Sequence, residues 1–223
     1  MLSAILFDLD GTLADTEREN AESVARALAG AGRPMTEEER AFVVGHGWRE
    51  IYALLERNRP TGFTFEALKA AATGKKAEIL RAGGLRELPG ARAAIERFAG
   101  RCPVGVVTGS GREEAELVLD LLGVRARLGC LVAVEDVAHG KPAPDGYLLG
   151  ATRLGAPAGA CLVVEDAPPG IRAARAAGMR CVAVGAGNFA GFDQSEADAV
   201  IPSLCELDDG LLSRLGLAPP GAD

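Results

Sequence analysis

Short, continuously apolar segments recur along the chain, and segments with helical periodicity lie between them. A strand that is covered on both faces needs apolar residues at every position, and this pattern is typical of parallel sheets. Strands are predicted at Ala4–Leu9, Val104–Thr108, Leu131–Val134, Cys161–Glu165, Cys181–Val184 and Ala199–Ile201. Regular alternation of strands and helices predicts an α/β fold, in which a doubly wound, Rossmann-like parallel sheet carries helices on both faces.

The intervening helices have recognisable ends. A helix is predicted over 113–122, where apolar residues recur at helical spacing and a glycine follows. Another is predicted over 168–177, which begins with two prolines and is followed by a glycine. Ser203 and Glu206 have the spacing of a capping box, which predicts that the last helix begins there.

The interval between the first two predicted strands is too long for one crossover. A strand–helix–strand unit needs roughly 30 residues. The first predicted strand ends near residue 9 and the second begins near residue 104, so the interval is about three times as long as a whole unit. The excess over 15–83 has the periodicity of amphipathic helices, and Thr36 with Glu39 forms a second candidate capping box. We therefore predict an α/β catalytic core of residues 1–14 and 84–223, with a helical cap inserted over 15–83.

Composition limits the partners and the compartment. The chain has 24 basic and 31 acidic residues and a net charge of −7, which disfavours nucleic acid and anionic membranes as main partners. No apolar run approaches the ~18 residues of a membrane span, and the opening segment lacks the basic flank of a signal peptide. The five cysteines never occur in C-x-x-C spacing, which favours reduced thiols. A cytoplasmic protein is expected.

The first predicted strand ends in the motif Phe7-Asp8-Leu9-Asp10-Gly11-Thr12. Alternate positions place the carboxylates of Asp8 and Asp10 on one side of the strand, at the edge where ligands bind in open α/β sheets. Two adjacent carboxylates repel each other unless a cation lies between them, so a Mg²⁺ site is expected. Taken alone, the motif is also compatible with a solvated strand end followed by a glycine turn.

Three further polar segments each follow a predicted strand. They are Thr108-Gly109-Ser110, Gly140-Lys141-Pro142-Ala143-Pro144-Asp145 and Val164-Glu165-Asp166-Ala167. The first offers hydroxyls and small-residue amides to phosphate oxygens, although it is also a common turn sequence. Lys141 is one of only 4 lysines and would supply a compact point charge, unless it is an ordinary surface lysine. The third segment could instead be a simple helix start.

Together the four segments predict a phosphoryl-transfer site with a carboxylate nucleophile. Asp8 would attack phosphorus and form an aspartyl-phosphate. Asp10 would protonate the leaving oxygen and then activate water. Lys141, Thr108 and Mg²⁺ would stabilise the charge on the transferring group.

This set of motifs resembles the haloacid dehalogenase-like (HAD) hydrolase superfamily. It is most similar to the branch with a helical cap, which includes beta-phosphoglucomutase, phosphoglycolate phosphatase and many sugar-phosphate phosphatases. The resemblance runs from residue 4 to about residue 202. It implies a Mg²⁺-dependent phosphatase acting on a small phosphorylated metabolite, such as a sugar phosphate or phosphoglycolate.

The resemblance also implies roles for the core residues. Asp8 would be the nucleophile and Asp10 the acid and base, while Thr108 and Lys141 would bind phosphoryl oxygens. Asp166 would ligate Mg²⁺ together with the Asp8 carboxylate and the Asp10 backbone carbonyl, and the preceding glutamate, Glu165, would lie close by. Many relatives have Ser or Thr directly after the Glu-Asp pair, whereas this chain has Ala167 there. The resemblance therefore implies that one hydrogen bond beside the metal is absent.

In the cap the resemblance rests on single positions. Asn20 stands where beta-phosphoglucomutase has a histidine, which disfavours a mutase because an amide cannot act as an acid and base. Arg49 matches a cap arginine that contacts a distal phosphate, and Lys76 matches a further cap lysine by offset. A solvated helix charge is the alternative interpretation of both. His46 and His139 have no predicted role.

Other classes of protein fit less well. A true haloacid dehalogenase would share Asp8 but lack Asp10. A phosphorylatable receiver domain also uses carboxylates, Mg²⁺, threonine and lysine, but it would have no insertion of this length after its first strand. A phosphomutase similar to beta-phosphoglucomutase and a non-catalytic phosphate-binding member of the fold stay open as alternatives.

Overall fold

The computed structural model describes residues 1–44 and 46–217, and the chain divides into two compact units. The core unit comprises Met1–Asp15 and the residues from Glu87 onward, and the inserted unit is Thr16–Arg86. The inserted unit is a single continuous segment of the chain between two parts of the core. That it serves as a cap over a site stays a prediction.

The strands of the described residues are short and mostly apolar. In chain order they are β1 (Ala4–Phe7), β2 (Ala14–Asp15), β3 (Arg86–Glu87), β4 (Val104–Val107), β5 (Cys130–Val132), β6 (Cys161–Glu165), β7 (Arg180–Val184) and β8 (Ala199–Ile201). Six of them form one parallel sheet in the order β5-β4-β1-β6-β7-β8. β2 and β3 lie where the chain enters and leaves the inserted unit. The predicted α/β fold with a doubly wound parallel sheet is confirmed.

Helices connect the strands of the core and make up the inserted unit. In chain order they are α1 (Glu17–Gly30), α2 (Glu37–Val43), α3 (Trp48–Asn58), α4 (Phe65–Ile79), α5 (Ala91–Ala99), α6 (Arg112–Leu121), α7 (Asp145–Arg153), α8 (Pro168–Ala176) and α9 (Asp209–Arg214). Where the structure describes the chain, none of these helices is both long and apolar enough to cross a membrane.

The six predicted strands are all present, and their ends differ from the prediction by no more than about two residues. The first strand ends at Phe7 instead of Leu9 because the chain turns there. The Leu9 carbonyl accepts N–H groups of Leu13 and Ala14 at 2.9 and 3.1 Å. Gly11 makes this turn possible with a φ of 84°, a conformation that disfavours residues with a Cβ.

The predicted capping box at Ser203 is wrong. Residues Leu204–Glu206 form a single 3₁₀ turn, and the Ser203 side chain makes no capping hydrogen bond. The last helix, α9, begins later, where the Asp208 carboxylate accepts the Leu211 N–H at 2.7 Å. The N-cap of the last helix is therefore Asp208 and not Ser203.

Burial in the core follows the apolar runs. All five residues of β6 and all four residues of β1 and β4 are buried, as a sheet covered on both faces requires. Helices α7 and α8 contribute Tyr147, Ala151 and Ile171 to the same apolar cluster. The five cysteines are free thiols, and four of them are buried.

The inserted unit has its own apolar cluster, built from helices α1, α2, α3 and α4. It includes Val24, Leu28, Val43, Ile51, Leu55 and Leu68. The predicted capping box is confirmed, since Thr36 Oγ1 accepts the Glu39 N–H and Glu39 Oε2 accepts the Thr36 N–H. Arg33 also forms a buried ion pair with Glu39 at 2.8 Å. A buried, hydrogen-bonded pair of this kind orients the start of α2 within the unit.

Candidate active site

Parallel strands bring distant polar segments to one edge of the core sheet. Phe7 at the end of β1 is in register with Val106 of β4 and Val164 of β6. The residues that follow these strands therefore emerge at the carboxyl edge, where α/β sheets bind ligands. The Asp8 N–H donates to the Val164 carbonyl at 2.9 Å, which holds Asp8 beside the end of β6.

Lys141 is the cation of the site. Its Nζ donates to Asp8 Oδ1, to Glu165 Oε1 at 2.7 Å and to the Val107 carbonyl at 3.1 Å. Burial disfavours the charged amine, but the carboxylates of Asp8 and Glu165 outweigh that effect and raise the pKa of Lys141. Lys141 is therefore a permanently charged group held between two carboxylates.

Three buried carboxyl groups lie close together at this site, and two of them contact Lys141. Asp8, Glu165 and Asp166 each offer an oxygen, and these atoms lie within 4.8 Å of one another. Burial raises the pKa of Asp8 well above its ordinary value, and Lys141 opposes that shift. Burial, followed by the charges of Glu165 and Asp8, raises the pKa of Asp166 to about 9.

The charge balance of this cluster favours a divalent cation. Fully ionised, three carboxylates and one ammonium would carry two negative charges in excess, which is unfavourable in a buried region and is reflected in the raised pKa values of Asp8 and Asp166. Oxygen-only donors of this kind are the ligands that Mg²⁺ and Ca²⁺ prefer. The residues that are present therefore fit a Mg²⁺ ion.

The carboxylate of Asp10 has a different environment. Its Oδ2 accepts the Ser110 hydroxyl at 2.6 Å and the Thr108 hydroxyl at 3.2 Å, and the Ser110 N–H donates to Thr108 Oγ1 at 2.9 Å. That a cation lies between the carboxylates of Asp8 and Asp10 stays a prediction. β1 ends at Phe7, so both residues follow the strand, and the carboxyl groups that could hold a metal ion together are those of Asp8, Glu165 and Asp166.

Asp166 is held by groups from two other loops. Its Oδ1 accepts the Thr12 hydroxyl at 3.2 Å. Buried Gln194 uses its side-chain amide to donate to the Asp166 carbonyl at 2.6 Å and to the Val184 carbonyl at 3.0 Å. Gly11 lies so close that a Cβ there would be 2.2 Å from Asp166 Oδ2. These contacts hold Asp166 against the turn that follows Asp10.

The loop after β7 packs on the same turn through a glycine. A Cβ added at Gly187 would lie 1.7 Å from the Gly11 carbonyl oxygen. We expect Gly187→Ala to displace the turn, to lower the free energy of unfolding by about 1–3 kcal/mol and to reduce the catalytic activity expected at this site. Gly159→Ala is the matched control, because nothing lies within 4 Å of its Cβ position. Thermal unfolding and steady-state rates check the pair, and unchanged behaviour of Gly187→Ala would contradict the close approach.

Sequence reasoning did not single out three residues of this site. Tyr147, Thr12 and Gln194 each donate a hydrogen bond to Glu165 or Asp166. Thr12 belongs to the first motif, and Tyr147 comes two residues after the motif that contains Lys141. Their closeness to these motifs could have indicated that they belong to the site. Gln194 is far from any motif, and only the path of its loop brings it to Asp166.

The predicted cap residues lie in the inserted unit. Asn20 is half-buried on α1, and Arg49 is exposed on α3, where its guanidinium carbon lies 5.6 Å from the ring centroid of Phe65. Lys76 on α4 is only 3% exposed. The interpretation of Lys76 as a solvated helix charge is therefore wrong, because tertiary packing covers it.

The two histidines are exposed. His46 stacks on Phe42 with ring centroids 3.8 Å apart. His139 Nδ1 lies 3.1 Å from Asp145 Oδ1, and its side chain is largely exposed. In these contacts the partners of the two histidines are thus Phe42 and Asp145, which are not members of the cluster of Asp8, Glu165 and Asp166.

The model of the haloacid dehalogenase-like hydrolases matches residues 2–178 of the chain. The chain belongs to the haloacid dehalogenase-like hydrolase family. The match covers the four polar segments at the sheet edge as well as the inserted unit, so the family resemblance of the motifs is confirmed.

Several relatives carry the names of phosphatases. Fructose-1-phosphate phosphatase YqaB of Escherichia coli strain K12 is 35% identical over 188 residues, covering 82% of this chain and 96% of the relative. Hexitol phosphatase A of the same organism is 37% identical over 187 residues, covering 81% and 82%. The crystal structure of CbbY from Rhodobacter sphaeroides in complex with phosphate has a TM-score of 0.81 and 28% identity, covering 93% and 96%. This HAD-family member is a phosphatase.

Proposed function

We propose that this HAD phosphatase is a Mg²⁺-dependent phosphomonoester hydrolase that acts on a small phosphorylated sugar or polyol through an aspartyl-phosphate on Asp8. The observation that carries the proposal is a buried cluster in which Lys141 Nζ contacts both Asp8 and Glu165. A carboxylate oxygen of Asp166 lies within 4.8 Å of an oxygen of each of these two residues. A nucleophile, a fixed cation and a set of metal-binding oxygens are thereby combined at the carboxyl edge of the sheet.

Asp8 supplies the nucleophile. Its carboxylate oxygen attacks phosphorus, and the bond between phosphorus and the substrate oxygen breaks. Lys141 donates to Asp8 and stays charged, so it offsets the negative charge that the phosphoryl group brings to the site. Water then attacks the phosphorus of the aspartyl-phosphate and releases inorganic phosphate.

Asp10 moves the protons. Protonated Asp10 would donate its proton to the leaving alcohol oxygen, and the resulting carboxylate would take a proton from the attacking water. The hydroxyls of Thr108 and Ser110 orient its carboxylate, since both donate to Oδ2. We expect the Thr108 hydroxyl and the amides of Gly109 and Ser110 to bind phosphoryl oxygens when a substrate is present.

The metal site would be formed by Asp8 and Asp166, with Glu165 beside them and the Asp10 backbone carbonyl as a further candidate ligand. When bound, Mg²⁺ offsets the charge of the carboxylates and of the phosphoryl oxygens. The fit rests on the close spacing of the three buried carboxyl groups and on their oxygen-only donors. The family also favours this assignment, because phosphatases of the HAD superfamily generally use a divalent metal.

Hydrolysis is favoured over phosphomutase chemistry by Asn20. A mutase must activate a second sugar hydroxyl, and a side-chain amide can neither give nor accept a proton for that step. An aspartyl-phosphate on Asp8 would therefore pass to water. Bisphosphate-primed isomerisation of a hexose 1-phosphate by the purified protein would overturn this choice.

The substrate class is suggested by the names of the relatives. A fructose-1-phosphate phosphatase and a hexitol phosphatase both take a small polyhydroxylated phosphomonoester. Purified protein should be assayed with Mg²⁺ against a panel of ketose, aldose and hexitol phosphates, with phosphoglycolate as the non-sugar comparison. Release of phosphate from a sugar or polyol phosphate is expected. Selective hydrolysis of phosphoglycolate would overturn the substrate class, and no release from any member would overturn the function.

Arg49 is the proposed specificity contact in the inserted unit. Its planar guanidinium is exposed and could bind a second phosphate or a carboxylate through two hydrogen bonds. We expect Arg49→Ala to lower kcat/KM at least about tenfold for the preferred substrate, with little change for p-nitrophenyl phosphate. Arg57→Ala is the matched control, because Arg57 is exposed on the same helix. Equal losses on both substrates would assign Arg49 a structural role instead.

Lys76 and Asn20 stay proposed substrate contacts of lower priority.

A further inference from the structure

Tyr147 is a buried phenol that the proposed reaction does not use. It lies in the first turn of α7, directly after the segment that carries Lys141, and is 0% exposed. Its hydroxyl donates to Glu165 Oε1 at 2.8 Å. Burial, followed by the charges of Glu165 and Asp8, raises the pKa of the phenol, so the hydroxyl keeps its proton and remains a donor.

Glu165 is oriented from several sides. Its Oε1 accepts from Tyr147 and from Lys141 Nζ, while its Oε2 accepts the backbone N–H groups of Asp166 and Ala167 at 3.0 and 3.1 Å. Gly170 leaves the space for it, since a Cβ there would lie 1.6 Å from Oε1. A carboxylate with donors on both oxygens has little freedom to rotate.

Lys141 contacts the same tyrosine in a second way. Its Nζ lies 5.1 Å from the centroid of the Tyr147 ring, within the range of a cation–π interaction. The ammonium therefore contacts the ring as well as its three hydrogen-bond acceptors, which are the Asp8 carboxylate, the Glu165 carboxylate and the Val107 carbonyl. A flexible lysine side chain needs such contacts to hold a fixed position.

We propose that Tyr147 is a positioning residue for phosphoryl transfer: its hydroxyl fixes Glu165 Oε1, and Glu165 and the aromatic ring together hold Lys141 Nζ beside Asp8. This inference rests on the proposed function, in which Lys141 offsets charge on the transferring group. A lysine that is placed in advance stabilises the transition state without reorganising during the reaction. Loss of the hydroxyl should therefore affect catalysis more than substrate binding.

The test compares the two tyrosines of the chain. Tyr147→Phe removes only the hydroxyl, and Tyr52→Phe is the matched control because the Tyr52 hydroxyl also donates one hydrogen bond, to the Phe63 carbonyl at 2.7 Å. For Tyr147→Phe we expect kcat to fall about tenfold while KM changes less than about twofold. Tyr52→Phe should keep the kcat of the wild type. Thermal unfolding of both variants shows whether each is folded.

Inhibition constants separate positioning from a general structural effect. Orthovanadate can adopt the five-coordinate geometry of the transition state, whereas inorganic phosphate resembles the product. We expect the inhibition constant of vanadate to rise about tenfold in Tyr147→Phe, in parallel with the loss of kcat, and that of phosphate to stay nearly unchanged. Tyr147→Met, which also removes the ring, should raise the ratio of the two constants further and serves if the phenylalanine variant does not fold.

Each outcome decides the proposal. A wild-type kcat in Tyr147→Phe, or a fall in kcat with an unchanged ratio of vanadate to phosphate inhibition, would overturn the positioning role. Failure of the proposed function looks different, because the wild-type protein itself would then release no phosphate from any substrate of the panel.

Discussion

Asp8→Asn is expected to reduce turnover by about four orders of magnitude or more, because an amide cannot attack phosphorus as a carboxylate does. The replacement is nearly isosteric, and Lys141 keeps its contact with Glu165. The measurement is the rate of phosphate release from the preferred sugar phosphate, supported by a search for phosphorylated protein. Asp10→Asn is expected to be nearly as damaging, with slow accumulation of the aspartyl-phosphate on Asp8.

A surface aspartate provides the control for this prediction. Asp209 forms a partly exposed ion pair with Arg101 at 2.8 Å and lies outside the candidate site, so Asp209→Asn should retain wild-type activity. In chelator, Asp8→Asn should be at least as stable as the wild type, since it removes one of three buried carboxylates that repel one another. Wild-type turnover by Asp8→Asn would show that another group is the nucleophile.

Removal of the divalent metal is expected to abolish hydrolysis, and addition of Mg²⁺ to restore it. The same ion should stabilise the fold, because Asp8, Glu165 and Asp166 are brought within 4.8 Å of one another only in the folded state. At a concentration of 100 times the dissociation constant, binding contributes about 2.7 kcal/mol, which corresponds to a rise in Tm of roughly 5–10 °C for a chain of this size. Full activity in excess chelator would contradict the prediction.

Asp166→Asn tests which residues hold the metal. The variant should show a much smaller rise in Tm with Mg²⁺ than the wild type, and Asp209→Asn should show the full rise. A Tm rise in Asp166→Asn equal to that of the wild type would remove Asp166 from the metal site.

The metal-free protein should also depend on pH in a definite direction. The pKa of Asp166 is raised from its ordinary value of 3.8 to about 9 in the folded state. The folded state therefore binds the proton on the Asp166 carboxyl group more tightly than the unfolded state does. The stability that this protonation contributes is complete below pH 3.8 and is lost as the pH rises toward 9. In chelator, the Tm of Asp166→Asn relative to the wild type should increase between pH 5 and pH 8.

Much of the architecture is determined by local sequence. The run Cys161–Glu165 is a buried strand with the predicted ends, because continuous apolar residues can be accommodated only between two covering layers. The four polar segments could be assigned to one edge of the sheet for a related reason, since parallel strands all end on the same side. The sequence could predict three residues of the site because each belongs to a polar motif at or after the end of a predicted strand. They are Asp8, Lys141 and Asp166.

Contacts between distant residues were decided by tertiary structure. The motif places Asp8 and Asp10 two positions apart, but β1 ends at Phe7, and Asp8 accepts from Lys141 whereas Asp10 accepts from Thr108 and Ser110. Periodicity describes a regular strand and contains no information on where a turn interrupts it. The two acidic residues therefore share one motif and have different neighbours.

Local sequence patterns account for the α/β sheet, the inserted helical segment and the residue types at the sheet edge. Tertiary structure alone decided that Lys76 is buried, that Gln194 reaches the Asp166 loop and that Tyr147 donates to Glu165. The reason is physical: strand and helix formation depends on the pattern of nearby residues, whereas burial and hydrogen bonding depend on how separate elements pack.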